Sequence, residues 1–256
     1  MARFKCPTLG KQKITVLFII LGLCWNPGTV PSQAQSFFAG VAPDPEVLMA
    51  RPNNGNGQNL ESILVDIKAV DAPATHLHDG KVGVGSEVRY GQGIIIDSTG
   101  IIVTNRHVIG HATHIDVMLS DRKVIEAKVL RNSQADLCLI KVDSPDPLRA
   151  VSLADSSVVQ KGLKVIAIAN AGFNPQRIRG GEVINVFRGA SSNTIEILEM
   201  NIPLRPGDSG GPILNEQGSL LGLIMGVQIS DPNKSYAIAS NRIQQEYFNY
   251  RNSILD

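Results

Sequence analysis

The run RPGDSGGP at residues 205–212 sets Ser209 between an aspartate and two glycines. Asp, Ser and Gly build ordinary turns, so the stretch by itself is compatible with a loop that does no chemistry. It also satisfies G-x-S-x-G, the spacing of an elbow that exposes a serine hydroxyl. That hydroxyl is a poor nucleophile near neutral pH. It needs an imidazole to take its proton and a shielded carboxylate to fix the imidazole's tautomer. All five histidines, at positions 76, 78, 107, 111 and 114, precede Ser209. An α/β-hydrolase places its histidine after the serine, so that order fails and His, Asp, Ser remains. His107 follows an apolar run in IIVTNRHVI, and Asp136 stands at the mouth of another in QADLCLIKV. Both positions are strand ends, where a side chain can reach a cleft. Asp143 is the nearest acidic alternative, at the far end of the same run.

Other reactive side chains have plainer readings. On a helix, His107, His111 and His114 would stack as metal ligands, but Gly110 weakens a helix there and no H-E-x-x-H motif occurs. The expectation is no metal and no cofactor, with His111 and His114 in a loop or at a strand edge. HLHD at 76–79 reads as a solvated loop. Cys138, two residues into an apolar run, reads as a core residue rather than a nucleophile.

The elements that must position these groups are short. Apolar runs of high β-propensity recur between turn signals: ILVDIKAV, GIIID, IIVTN, HIDVML, VIEAKVL and DLCLIKV, then, after SPDP, LKVIAIA, GEVINVF, TIEILEMN, GPIL, LLGLIMGVQI and SYAIA. No amphipathic helices intervene, which excludes a parallel α/β sheet and predicts an all-β chain of two antiparallel barrels or sandwiches. Pro145 and Pro147 mark the connection between lobes. Only SNRIQQEYFNYRNSIL reads as a helix, capped by Ser240 or Asn241, with Ile243, Tyr247 and Tyr250 near one face. The chain shows no internal sequence repeat.

The N-terminus reads as an export signal over residues 1–34. Arg3, Lys5, Lys11 and Lys13 precede the apolar run Ile14 to Trp25, and SQA at 32–34 offers a cleavage site. The run is shorter than the ~20 residues that span a bilayer, and the alternative is a signal that stays attached as an anchor. Residues 35–60, rich in Pro, Asn and Gly, read as a flexible arm. Cleavage after Ala34 removes four of 24 basic residues and no acidic one; the remaining 20 against 23 acidic residues give a formal charge of −3. That balance does not favour nucleic acid or an anionic membrane as partner. Cys6 and Cys24 lie in the signal, so Cys138 would be left alone and no internal disulfide could form.

TNRHV, ADLCLIKV and GDSGGP, in that order, resemble the trypsin-like serine peptidases of the chymotrypsin fold, and most of all the bacterial Deg/high-temperature-requirement branch. GQGIIIDSTGIIVTN, LSDRKVIEAKVL and SYAIASN add to the likeness, which covers residues 88–242. The resemblance implies two six-stranded antiparallel β-barrels, at residues 61–147 and 148–256, the second carrying the terminal helix. It implies that His107 is the general base, that Asp136 orients it and that Ser209 attacks a scissile carbonyl through an acyl-enzyme. The oxyanion hole would be the amides of Gly207 and Ser209, with Asp208 making the turn between them. The implied partner is a polypeptide substrate, and the implied location is outside the cytoplasm, periplasmic or secreted.

The chain also departs from the wider family. Val108 stands where animal enzymes have a cysteine. No Ile-Val-Gly-Gly segment offers a new N-terminus to pair with Asp208, which leaves that aspartate without an evident partner. Pro203, six residues before Ser209, gives no support for cleavage after basic residues. LIMGV at 223–227, with Ile224, Met225 and Gly226, points to small or aliphatic substrate side chains. The Deg branch carries PDZ domains after its protease, and here the expectation is a protease domain alone. A competing class is a catalytically silent binding or chaperone-like relative, whose sequence mark would be a lost triad member; none is lost.

Overall fold

Apolar residues on both faces of a strand require a core on each side, and the centre of this molecule is built from such strands. The computed structural model describes residues 60–78, 81–169, 177–189, 194–228 and 230–254. The expected export signal and all of the arm except Leu60 lie outside the described residues. Leu60 is already packed, 7% exposed, in a short 3-10 turn with Ile63.

Among the described residues, eight strands precede residue 143: β1 (Leu64–Asp71), β2 (Ala74–His78), β3 (Lys81–Gly85), β4 (Val88–Asp97), β5 (Ile101–Asn105), β6 (Ala112–Met118), β7 (Val124–Asn132) and β8 (Leu137–Val142). Six of them close a barrel in the order β1-β4-β5-β8-β7-β6, while β2 and β3 form a separate hairpin. The six strands β9 (Lys164–Ala169), β10 (Arg177–Arg188), β11 (Ile195–Met200), β12 (Pro212–Leu214), β13 (Leu220–Gln228) and β14 (Asp231–Ala239) close a second barrel in the order β10-β11-β14-β13-β12-β9. Every barrel pairing is antiparallel. Numbered along each barrel, both orders are the same ring, 1-2-3-6-5-4, although the sequence carries no repeat. This is the chymotrypsin-like architecture.

Residue parity explains the packing. Ile95, Ile102, Cys138, Ile140 and Val142 line the interior of the first barrel. Their neighbours Ile94, Ile96, Ile101, Val103, Leu137 and Leu139 face the other way and meet Leu214, Leu220, Leu223, Met225 and Ile238 of the second barrel. The continuous apolar runs of β4, β5 and β8 therefore serve two cores at once. Residues 143–163 connect the barrels by bonding to each: Val151 donates its amide to the Ile95 carbonyl at 2.9 Å, and the Ser152 carbonyl accepts from the Leu220 amide at 2.8 Å.

Among the described residues, two α-helices accompany the barrels. Helix α1 (Arg106–Ile109) is a single turn directly after β5, and helix α2 (Ser240–Ser253) follows β14. Ile243, fully buried between the barrels, contributes about 1.5–3 kcal/mol of burial. The expected cap of α2 is corrected: the N-cap is Ala239, with no side-chain cap bond. Ser240 instead donates to the Ala154 carbonyl at 2.6 Å, and Asn241 bridges to Ser156 and Asp155. Those two side chains tie the helix to the inter-barrel segment and are not free to cap. A second correction concerns HLHD, expected as a loop: His76 and His78 lie on β2, paired in register with Gly83 and Lys81, and Asp79 is outside the described residues.

Candidate active site

The register between β5 and β8 pairs Asn105 with Leu137, so the residues on either side of that pair, Arg106 and Asp136, become neighbours. The Arg106 amide donates to the Asp136 carbonyl at 3.1 Å, and Asn105 Nδ2 reaches the same oxygen at 3.3 Å. Asp136 takes φ +59°, a left-handed conformation that is uncommon for a residue other than glycine. In that conformation its carboxylate meets His107 twice, with Oδ1 3.0 Å from the backbone amide and Oδ2 2.8 Å from Nδ1. A carboxylate on Nδ1 keeps the proton there and leaves Nε2 as the basic nitrogen. His107 and Asp136 are both part-buried, with side chains 24% and 17% exposed. Burial of Val108 and Ile109 roots α1, and Arg89 on β4 holds its far end by donating to the Ile109 carbonyl at 3.0 Å.

The Ser209 turn is built from the second barrel and rests on the first. Gly207, at φ +97°, adopts a conformation that a side chain would strain. The Asp208 amide bonds the Arg205 carbonyl at 3.0 Å, and Asp208 Oδ2 accepts from the Arg205 amide at 2.8 Å, closing the turn in both directions. After it, the Gly210 amide donates to the Ile224 carbonyl at 2.9 Å and the Ile224 amide to the Gly211 carbonyl at 2.8 Å, which fixes the turn to β13. The Ser209 carbonyl accepts from the Gln92 amide of β4 at 2.8 Å. A Cβ on Gly210 would lie 1.8 Å from the Gln92 carbonyl oxygen, so the turn is in backbone contact with the first barrel. A Cβ on Gly91 would lie 2.6 Å from the Val108 side chain and 3.2 Å from the Ser209 carbonyl. One point on β4 thus touches both the residue after His107 and Ser209 itself.

Asp208 is 1% exposed, and the partner missing from the sequence comes from β10: Arg179 Nη1 is 3.9 Å from Asp208 Oδ2. The same nitrogen donates to the Pro203 carbonyl. Arg179 therefore bridges the two ends of the segment that leads to the serine.

Among the expected substrate contacts, Pro203 is exposed, and Gly226 has open space where a side chain would stand. The side chains of Ile224 and Met225 belong to the second-barrel core and the inter-barrel core respectively, 1% and 8% exposed. Asp143 is apart from the site, paired with Lys141 and Lys128. The helix carrying His107 ends at Ile109, so His111 and His114 do not stack with it. His114 lies on β6 between Asp116 and Glu126. Burial, assisted by the Asp136 charge, pushes the Cys138 thiol up to about 12, so it stays protonated. Gln92 and Arg179 went unnoticed in the sequence because nothing in their own spacing marks them.

The periplasmic serine endoprotease DegP of Escherichia coli (strain K12) is 30% identical over 175 residues, covering 64% of this chain and 37% of DegP. A probable DegP-like periplasmic serine endoprotease of Rickettsia conorii is 34% identical over 146 residues, 53% of this chain and 28% of the relative. The chain spans about a third of the length of these relatives. Among solved structures, an HtrA-type protease, AlgWS227A with a decapeptide, superposes with a TM-score of 0.65 at 19% identity, covering 73% of this chain and 64% of that one. A serine endoprotease from Yersinia pestis gives 0.62 at 20% identity, covering 78% and 66%. The family model for the trypsin-like peptidase domain matches residues 91–223, a span that begins at the β4 glycine against which Ser209 packs and takes in His107, Asp136 and Ser209. With more than half of its length inside that match and both barrels formed, the chain belongs to the trypsin-like peptidase domain family.

Proposed function

We propose that the chain is a serine endopeptidase that hydrolyses peptide bonds through an acyl-enzyme on Ser209. The observation that carries this reading is the doubly bonded His107–Asp136 pair beside a serine turn seated on Gln92. His107 Nε2 takes the Ser209 proton as Oγ attacks the carbonyl, then delivers it to the leaving amine; Asp136 holds the ring and stabilises its charged form. The Gly207 and Ser209 amides receive the oxyanion, Asp208 sets the turn between them, and each donor lowers the barrier by about 3 kcal/mol. Water deacylates the serine by the same route in reverse, and this chemistry calls for no cofactor.

The substrate is a polypeptide, and its chain runs past the open space at Gly226 and the exposed Pro203, with the β13 backbone at Ile224 and Met225 as the surface behind it. The basic-then-apolar N-terminus and the periplasmic relatives support export to the periplasm, with residues 1–34 as the signal. A fluorophosphonate probe tests the reading directly. Labelling of the native protein that disappears in Ser209→Ala, together with cleavage of a peptide library, is the expected result. A folded native protein that takes no label at Ser209 refutes it and assigns the silent binding module instead.

A further inference from the structure

The carboxylate that orients His107 depends on a strained backbone, and strain of this kind persists only where surrounding contacts over-determine it. On the carbonyl side of Asp136 those contacts come from Asn105 and Arg106. On its amino side they come from Ser133, whose amide donates to the Leu137 carbonyl at 2.8 Å and whose Oγ accepts from the Ala135 amide at 3.2 Å. The turn 133–137 is therefore pinned at Ser133, and Asp136 sits inside it.

The Ser133 hydroxyl has one proton, and its destination is Glu246 Oε1 at 2.8 Å. Glu246 is on α2, more than a hundred residues away in sequence and attached to the other barrel. It is 6% exposed. Its second oxygen accepts from Arg131 Nε at 3.0 Å, and Arg242 lies 3.5 Å from Oε1. A carboxylate can only accept, so it commits the Ser133 proton and leaves the Ser133 lone pairs free for the Ala135 amide. The surrounding guanidinium groups offset the cost of burying the charge.

We infer that Glu246 is a positioning residue for Asp136, acting through the Ser133 hydroxyl. This rests on the peptidase reading, since it assigns Glu246 a part in orienting the His107–Asp136 pair. When the hydroxyl is released, the turn relaxes toward negative φ at Asp136 and the carboxylate leaves Nδ1, while the serine turn and the substrate surface are untouched. The effect therefore falls on kcat rather than KM.

The test uses the full chain with Glu246→Ala, Ser133→Ala and Ser133→Thr. Peptide hydrolysis by either alanine variant is expected to lose about 10–100-fold in kcat with KM nearly unchanged, and Ser133→Thr, which keeps the hydroxyl, to retain most of the rate. The far-downfield proton resonance of the His107 Nδ1–Asp136 bond, read without substrate, is expected to broaden or vanish in both alanine variants and to persist in the threonine one. If Glu246→Ala proves too unstable, Ser133→Ala decides, because it leaves Glu246 with Arg131 and Arg242. A folded Ser133→Ala protein that keeps both the resonance and kcat overturns the inference. A native protein with the resonance but no Ser209 labelling would instead overturn the peptidase reading, and the resonance in the variants would still decide the role of Glu246.

Discussion

Replacing Arg179 by leucine probes the contact that the sequence did not disclose. Two unit charges 3.9 Å apart attract by about 4 kcal/mol at an effective dielectric of about 20. Arg179 is 17% exposed at its side chain, and the Arg205 amide continues to hold Asp208 Oδ2 at 2.8 Å, so part of that attraction survives as hydration and backbone bonding. The net loss is expected to be about 1–3 kcal/mol, below the full cost of orphaning a buried charge. The location matters more than the total. Arg179 joins the Pro203 carbonyl to the Asp208 carboxylate, so its loss loosens the whole run from 203 to 208 and with it the amides of Gly207 and Ser209. Urea unfolding of Arg179→Leu measures the first quantity, and kcat with a peptide substrate measures the second; kcat is expected to fall tenfold or more, by roughly 1.4 kcal/mol per decade. Adding Asp208→Asn in the same chain removes the buried charge that Arg179 faces and is expected to recover at least half of the lost stability. If Arg179→Leu is as stable and as fast as the native protein, or if the double variant is weaker by the sum of the two single losses, Arg179 is not the partner that holds Asp208.

Three further outcomes follow from the packing. Gly210→Ala places a methyl carbon against the Gln92 carbonyl at φ +87°, and is expected to destabilise the protein by more than about 3 kcal/mol or to prevent folding, read as a collapse of Tm. With its thiol pushed up to about 12, Cys138 is expected to resist a thiol reagent at pH 8 in the native protein and to react quickly in denaturant, as followed by peptide mass; rapid native labelling would contradict its place inside the first barrel. Asp97 is held below the usual carboxylate range, first by the Tyr247 hydroxyl and then by Thr99. A lowered folded value means that this stability is present above the unfolded value, near 4, and is lost as pH falls through the folded one. Tyr247→Phe is therefore expected to cost about 1–2 kcal/mol in urea unfolding at pH 7 and progressively less below pH 4.

The strands were legible because the barrel strands nearest the other lobe are apolar on both faces, and the turns between them are written in Gly, Pro, Asp and Asn. Position and order mark His107 and Asp136 at strand ends and Ser209 in a turn; the β5–β8 register then explains why the first two meet. What stayed hidden was of two kinds. Gln92 and Arg179 act through contacts from a strand to the loop that precedes β12, well separated in the chain, and no local pattern encodes them. Where one residue type suits two roles, the reading took the commoner one: HLHD looked like a loop, and Ser240 looked like a cap although the Ala154 carbonyl takes its proton. The apolar LIMGV run points to small or aliphatic substrate side chains, while the alternation of β13, invisible in the run itself, puts the Ile224 side chain in one core and Met225 in another and leaves open space at Gly226.

The shared 1-2-3-6-5-4 ring has a consequence for how such a site holds its shape. Each barrel is closed, so each satisfies its own backbone bonds, and the site lies between units that have no need of each other for their ladders. His107 and Asp136 come from the first barrel, and Ser209 from the second. Their relation rests on the Gln92–Ser209 bond, the contact at Gly210, the apolar layer from Ile94 to Ile238, and helix α2, which grips the first barrel at Ser133 through Glu246 and at Asp97 through Tyr247. Separating the barrels breaks these contacts and some of the bonds made by residues 143–163, whereas unfolding either barrel needs its ladder to open as well. Loss of the aligned site is therefore the less costly event, and substitutions along α2 should reduce activity at temperatures where both barrels remain folded.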